Sequence, residues 1–312
     1  MKPTNILMAR ANKSIYSALL ANLLIAATKF IAGAFTNSSS MIAEGIHSTV
    51  DTSNQLLLLY GLKKSVKAPD KYRPFGYGKE LYFWSFIVSI MIFGLGGVLS
   101  ISQGISHIRH PEPLKSPGWN YVVLTLSFIF EGASLYVAIK EFDKTRNGIS
   151  WWKAIIKSKD PSGFLVLFED GAAVLGLLIV FTLMILSHNL NLPFLDGLAS
   201  VLVGLLLVFV SFILARESRS LLMGEGFAPE TQRKIKVYIE KDKDVVSLIS
   251  QLSTYQSPKD VLLMLIIEFE EELNTRAITT AIDRLRANIK LQFPLVKFVI
   301  IQPQQIGGAK TS

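Results

Sequence analysis

Met41 to Gln55 reads MIAEGIHSTVDTSNQ. Glu44, His47, Asp51 and then Asn54 or Gln55 recur at spacings of 3, 4 and 3 or 4, the repeat that sets side chains along one face of an α-helix. The surrounding stretch, Ser40 to Leu62, has the length and apolar content of a membrane span, which takes roughly 20 mostly apolar residues. An ionisable group at the centre of such a helix costs about 2.5–3.5 kcal/mol on an insertion scale, so three of them in one span mark a functional helix rather than an anchor.

Working outward, five more stretches satisfy the same length: Ser14 to Phe35, Leu81 to Ser106, Trp119 to Ile139, Gly163 to Leu186 and Phe194 to Ala215. The whole-chain composition agrees: 312 residues, 50% hydrophobic, only 18% charged, mean hydropathy +0.40. Disorder and an ordinary soluble domain are excluded. With no cysteine, disulfide scaffolds, thiolate metal sites, iron–sulfur clusters and cysteine nucleophiles are excluded too. The first span runs into the second without a small-residue cleavage site, so no removable signal peptide is read.

A formal charge of +8 would suggest an anionic partner, but its distribution gives another meaning. Three basic residues precede the first span (Lys2, Arg10, Lys13), six lie in the second loop (63–79) and six in the fourth (140–159). The first and fifth loops have none and the third only Arg109 and Lys115. Basic loops are retained in the cytoplasm, so both termini are expected there, in what we read as a bacterial inner membrane. Residues 217–312 are near charge balance, with 13 Lys+Arg against 12 Asp+Glu, which excludes a basic nucleic-acid binder.

Beyond Ala215 charges of both signs return. Pro229 opens a helical pattern at Thr231 to Glu240; Val245 to Leu252 and Val261 to Glu268 read as strands around a turn at Gln256 to Asp260. Asn274 caps a predicted helix from Thr275 to Leu291, and Val296 to Ile301 is a last strand. The expected fold is therefore a six-span α-helical transmembrane bundle, residues 1–216, followed by a small cytoplasmic α-β-β-α-β domain, residues 217–304, and a mobile tail, 305–312.

Eight ionisable residues fall inside the spans: Lys29, Glu44, His47, Asp51, Glu131, Glu169, Asp170 and Asp196. His47 and Asp51, one turn apart, can aim an imidazole nitrogen and a carboxylate at one small divalent cation. The alternative is a polar stripe in which Asp51 orients His47. At about 1.5 Å per residue, Asp170 lies roughly 11 Å and Asp51 roughly 16 Å from the same membrane side, so their depths are compatible. Adjacent residues differ by about 100° around a helix, so we expect Asp170 as ligand with Glu169 turned to another helix, towards Lys29; the reverse assignment stays open. Lys29 is expected to neutralise a carboxylate, Glu131 and Asp196 to act as hydrogen-bond partners or proton carriers, and Asp196 to reach water at the external end. His107, His110 and His188 read as interfacial residues.

The six spans, NSSSMIAEGIHSTVD from Asn37, PFGYGKE from Pro74, FED at Phe168 and the terminal α-β-β-α-β domain together resemble the cation diffusion facilitator family, over about Ser14 to Pro303. The resemblance implies homodimers that export divalent metal, commonly zinc, in exchange for protons, with a metallochaperone-like cytoplasmic domain. It carries His47, Asp51 and Asp170 over as metal ligands. Val166 holds the place of the fifth-span histidine, leaving Glu169 or water to complete the shell, with Glu44 and Lys29 as lesser candidates. Asp70 is kept in the second loop, but Tyr77 replaces the loop histidine, and no histidine follows His188 to build a C-terminal metal site. These departures resemble a divergent branch that includes a mitochondrial-type zinc transporter of animals. One imidazole among carboxylates leaves Mn²⁺ and Fe²⁺ as alternative cargo. Two rival readings are a proton-coupled carrier of another solute and a non-transporting membrane scaffold or sensor; enzyme motifs are missing from the sequence.

Overall fold

The computed structural model describes residues 22–111, 118–146, 148–151 and 161–305, with Leu19, Ala154 and Lys159. The start of the expected first span, the basic residues Lys2, Arg10, Lys13, Lys115, Lys153 and Lys157, and the expected mobile tail beyond Gln305 lie outside the described residues. Two compact units emerge: the described residues up to Gly61 with Phe83–Ser218, and Leu62–Tyr82 with the described residues from Arg219 onward.

The first unit is helical. Helix α1 is described over Asn22–Thr36, and α2 spans Ser39–Ser65. They are followed by α3 (Glu80–Arg109), α4 (Gly118–Thr145), α5 (Pro161–Leu190) and α6 (Phe194–Met223). Among the described residues α3 to α6 are long and apolar enough to cross a membrane. Helix α2 is long enough at 27 residues, but its Ser, Thr, Asn, Glu, His and Asp dilute its hydropathy. Helix α4 leaves Leu126, Phe130 and Val137 at 52%, 58% and 59% exposure, a face suited to lipid rather than water.

Two local features set the helix positions. Asn37 takes a left-handed φ of 59°, a conformation asparagine tolerates, and turns α1 directly into α2. Between α3 and α6 glycines bring the backbones together. A Cβ on Gly104 would stand 2.6 Å from the Gly197 carbonyl oxygen, and one on Gly204 would stand 2.8 Å from that of Gly97. Such small-residue seams pack membrane helices closely where water supplies no driving force between them. Near one of these glycines α3 loosens into a π-helical segment, Ile92–Val98.

The second unit contains α7 (Pro229–Ile239), β1 (Val245–Ser257), β2 (Asp260–Phe269), α8 (Thr275–Gln292) and β3 (Val296–Pro303). The sheet order is β1-β2-β3, with β1 antiparallel and β3 parallel to β2. A parallel return needs a crossover, which α8 provides, and the Asn274 side chain caps that helix by accepting from Ala277 N at 2.9 Å. Alternate β2 residues Val261, Leu263, Leu265 and Ile267 form one buried face with Ile235 and Ile239 of α7 and Leu285 and Ile289 of α8. Strand β1 continues to Ser257, five residues beyond its expected end at Leu252, because Ser253, Thr254 and Tyr255 pair with Leu263, Leu262 and Val261. The PFGYGKE loop packs on this sheet unit: Phe75 meets Phe298 edge-on at 5.4 Å between ring centres, and Gly78 lies against the Gln256 backbone.

Candidate functional site

The helical stripe of α2 divides its charges between two surroundings. Glu44, His47 and Asn54 are buried, and the Asp51 side chain keeps 15% exposure. Lys29, without solvent exposure, places Nζ 3.0 Å from Glu44 Oε2, donates to Ser48 Oγ at 2.8 Å and stands 3.9 Å from Glu131 Oε1. Lys29 therefore neutralises Glu44. The expected contact of Glu169 with Lys29 is replaced by another: Asn54 Nδ2 donates to Glu169 Oε1 at 2.6 Å.

Further along α2 a cavity of about 280 Å³ opens, lined by Asp51, Ser48 and Gln55 of α2, Glu131, Ser134 and Phe130 of α4, Glu169 and Asp170 of α5, and Asn22 and Ile25 of α1. Both acids of α5 line it, although they are adjacent in sequence, and Glu169 does so while accepting from Asn54. Ser134 donates to Asp170 Oδ2 at 2.7 Å. His47 is not among the lining residues; its Nδ1 stands 3.5 Å from Asp51 Oδ1. His47 Nε2 and Asp51 Oδ1 are buried without a hydrogen-bond partner among the described residues. In this arrangement no three described His, Asp or Glu side chains converge tightly enough to hold an ion. The fifth-span position Val166 is 36% exposed and does not line the cavity.

Sequence reasoning missed Ser134, Asn54 as a partner of Glu169, and the place of Glu131 in the cavity wall. The first had a signal: Ser134 follows Glu131 by three residues, one helical turn.

Two other expected positions are structural here. Asp70 accepts from Tyr72 N and Arg73 N, both at 2.9 Å, and from Tyr77 Oη at 2.5 Å, so its carboxylate organises the loop. The Tyr77 hydroxyl, then the Arg73 amide, hold Asp70 below the usual carboxylate range. Asp196 is the hydrogen-bond partner between helices that was one of its expected roles, but it does not reach water. It has no exposure, because the serines at the start of α2 surround it, and His107 Nδ1 stands 3.6 Å away.

With this geometry in place, comparison with known proteins is informative. The profile of the cation efflux transmembrane domain matches residues 15–223, well over half of the chain. The chain belongs to the cation efflux family. Among cation efflux relatives, the human protein named proton-coupled zinc antiporter SLC30A9, mitochondrial, is 36% identical over 80% of this chain and 44% of its own length. Metal tolerance protein C4 of Arabidopsis thaliana is 33% identical over 84% of this chain and 58% of its own. The manganese efflux system protein MneP of Bacillus subtilis is 28% identical over 91% of this chain and 92% of its own. The chain thus spans about half the length of the SLC30A9 proteins it matches. The carboxylate cavity between α2, α4 and α5 lies wholly inside the part that matches the cation efflux profile.

Proposed function

We propose that this protein is a six-span, multi-pass membrane transporter that exports a divalent metal cation from the cytoplasm in exchange for protons, with zinc as first cargo. It works as a homodimer with both termini and the sheet domain cytoplasmic, and it is not an enzyme. The observation that carries this reading is the meeting of Asp51 with Glu169 and Asp170 in one cavity within the cation efflux region. His47, one turn from Asp51, joins them when the helices shift and the ion is held.

The chemistry follows from the donors. A metal ligand must be deprotonated carboxylate or neutral imidazole, so loading an ion from one side releases protons, and protons arriving from the other side release the ion. Alternating exposure of a site between helices makes this an exchanger. Asn54 and Ser134 hold Glu169 and Asp170 by single hydrogen bonds, which leaves each carboxylate further acceptor capacity for an ion. Lys29 and Glu44 cancel each other and leave the cavity acids as the exchangeable charge.

One observation favours manganese as a second reading. The cavity lining offers only oxygen and amide donors, a set that suits harder cations better than zinc, while the imidazole stands outside it. The test is flux of Zn²⁺ and Mn²⁺ into proteoliposomes under a pH gradient. Wild type should carry at least one of them, and Asp51→Ala or Asp170→Ala should abolish that flux. Undiminished flux in Asp51→Ala would overturn the assignment.

A further inference from the structure

The far end of α2 is held by a residue that the cavity does not use. Asp196 stands in the first turn of α6, and its carboxylate is saturated by the start of α2. Oδ1 accepts from Ser38 Oγ at 2.7 Å and Ser40 Oγ at 2.5 Å. Oδ2 accepts from Ser39 N at 2.6 Å, Ser39 Oγ at 2.9 Å and Ser40 N at 3.2 Å.

The first N–H groups of a helix have no partner inside the helix and carry partial positive charge, and they are usually capped by the residue just before it. In α2 Ser38 caps Met41 N in this way at 3.2 Å, while the two earlier N–H groups, of Ser39 and Ser40, are taken by a carboxylate 156 or more residues away on another helix. The axial position and rotation of α2 are therefore set by α6. Backbone contact sets α6 in turn: a Cβ on Gly197, the residue after Asp196, would stand 2.8 Å from the Gly104 carbonyl oxygen of α3. From Ser39 the helix runs unbroken to Asp51, about 18 Å at 1.5 Å per residue, so a shift or rotation at its start is carried to the cavity.

We propose that Asp196 is a positioning residue for transport: by gripping Ser38 to Ser40 it sets the register in which α2 presents Asp51 to the acids of α4 and α5. This rests on the transport reading of the cavity. Asp196 touches no cavity-lining side chain, so its removal disturbs the movement of α2 rather than the donors that meet the ion.

The chain has no cysteine, which allows a direct test. Spin labels are placed at Phe35→Cys, two residues before the Asn37 turn, and at Phe194→Cys on α6; both native side chains are exposed, at 78% and 40%. Label distances and Zn²⁺ and Mn²⁺ flux are then measured in full-length protein in liposomes. Asp196→Asn should elute as wild type, broaden the distance distribution, and lower the maximal rate by about tenfold while KM moves less than about threefold. Asp196→Glu should recover part of the rate. Ser39→Ala should shift both readouts the same way by less, and should add nothing to Asp196→Asn, because residues of one network are not additive.

Rate and distances unchanged in Asp196→Asn would overturn the proposal, as would a KM rising in step with the loss of rate or a broadened distribution with full rate. If Asp196→Asn does not fold, Ser39→Ala decides by the same two readouts. Wild type that moves neither metal, while Asp196→Asn still broadens the distances, would remove the transport reading and leave the anchoring of α2 standing.

Discussion

The start and the middle of α2 treat charge in opposite ways. At its start a carboxylate without exposure has five donors and no capacity left over. At its middle, Asp51 shares a cavity with Glu131, Glu169 and Asp170, and one of its oxygens is buried without a hydrogen bond among the described residues. A satisfied charge fixes geometry; an unsatisfied one has free energy to gain from a cation or a proton. The difference teaches how one helix can be both anchored and reactive. Changes at the buried Lys29–Glu44 pair should act on stability, changes at the cavity should act on transport, and changes at Asp196 should reach transport through the position of α2.

The strongest challenge to that division is the pair between those two positions. Lys29 and Glu44 both have no exposure, so Lys29→Met leaves Glu44 buried and uncompensated, at a cost of about 3–5 kcal/mol. Thermal unfolding of the purified protein should show this loss, and Lys29→Met combined with Glu44→Gln should recover most of it. A Lys29→Met protein as stable as wild type would break the comparison at its firmest point.

Next in size is the backbone contact beside Asp196. Gly197→Ala forces a methyl group against the Gly104 carbonyl oxygen and Ile108, and overpacking of this kind costs about 1–3 kcal/mol. The same unfolding assay should register it, whereas Gly171→Ala, where a Cβ meets nothing within 4 Å, should leave stability unchanged. At the cavity the balance should reverse. Asn54→Ala removes the donor to Glu169 and should cost about 1 kcal/mol of stability or a little more, while metal flux falls by a larger factor than the folded fraction does.

What could be read in the sequence follows the same line. Apolar length alone reveals α3 to α6, because a lipid-facing helix needs only composition, and spacing alone reveals that Glu44, His47 and Asp51 share a stripe. Pairing was less legible. Whether Lys29 meets Glu44 or Glu169 depends on how α1, α2 and α5 are rotated against each other, which no single helix encodes. Gly97 and Gly104 are seven residues apart, and so are Gly197 and Gly204, yet their meaning as a seam appears only when α3 and α6 are set side by side. Asp196 is the interhelical hydrogen-bond partner that its place in a span suggests, but its lack of contact with water is not legible there, because the three serines that enclose it stand at the start of α2, more than 150 residues earlier.

The smallest effect is expected in the second unit, where Asp70 offers a satisfied charge in water rather than in the membrane. Its carboxylate accepts the Tyr77 hydroxyl and the Tyr72 and Arg73 amides, and these bonds hold its pKa below the ordinary value. A carboxyl group depressed on folding adds stability that is fully present above its unfolded value and is lost as pH falls through its lower folded value. Asp70→Asn should therefore lower the melting temperature slightly near neutral pH, and the gap from wild type should close on acidification below the usual carboxylate range. Solvent and salt screen this loop, so the gap should also shrink as ionic strength rises. Lys29→Met, buried from both, should keep its full deficit at high salt. Equal salt sensitivity in the two variants would mean that burial does not separate the charges of the two units.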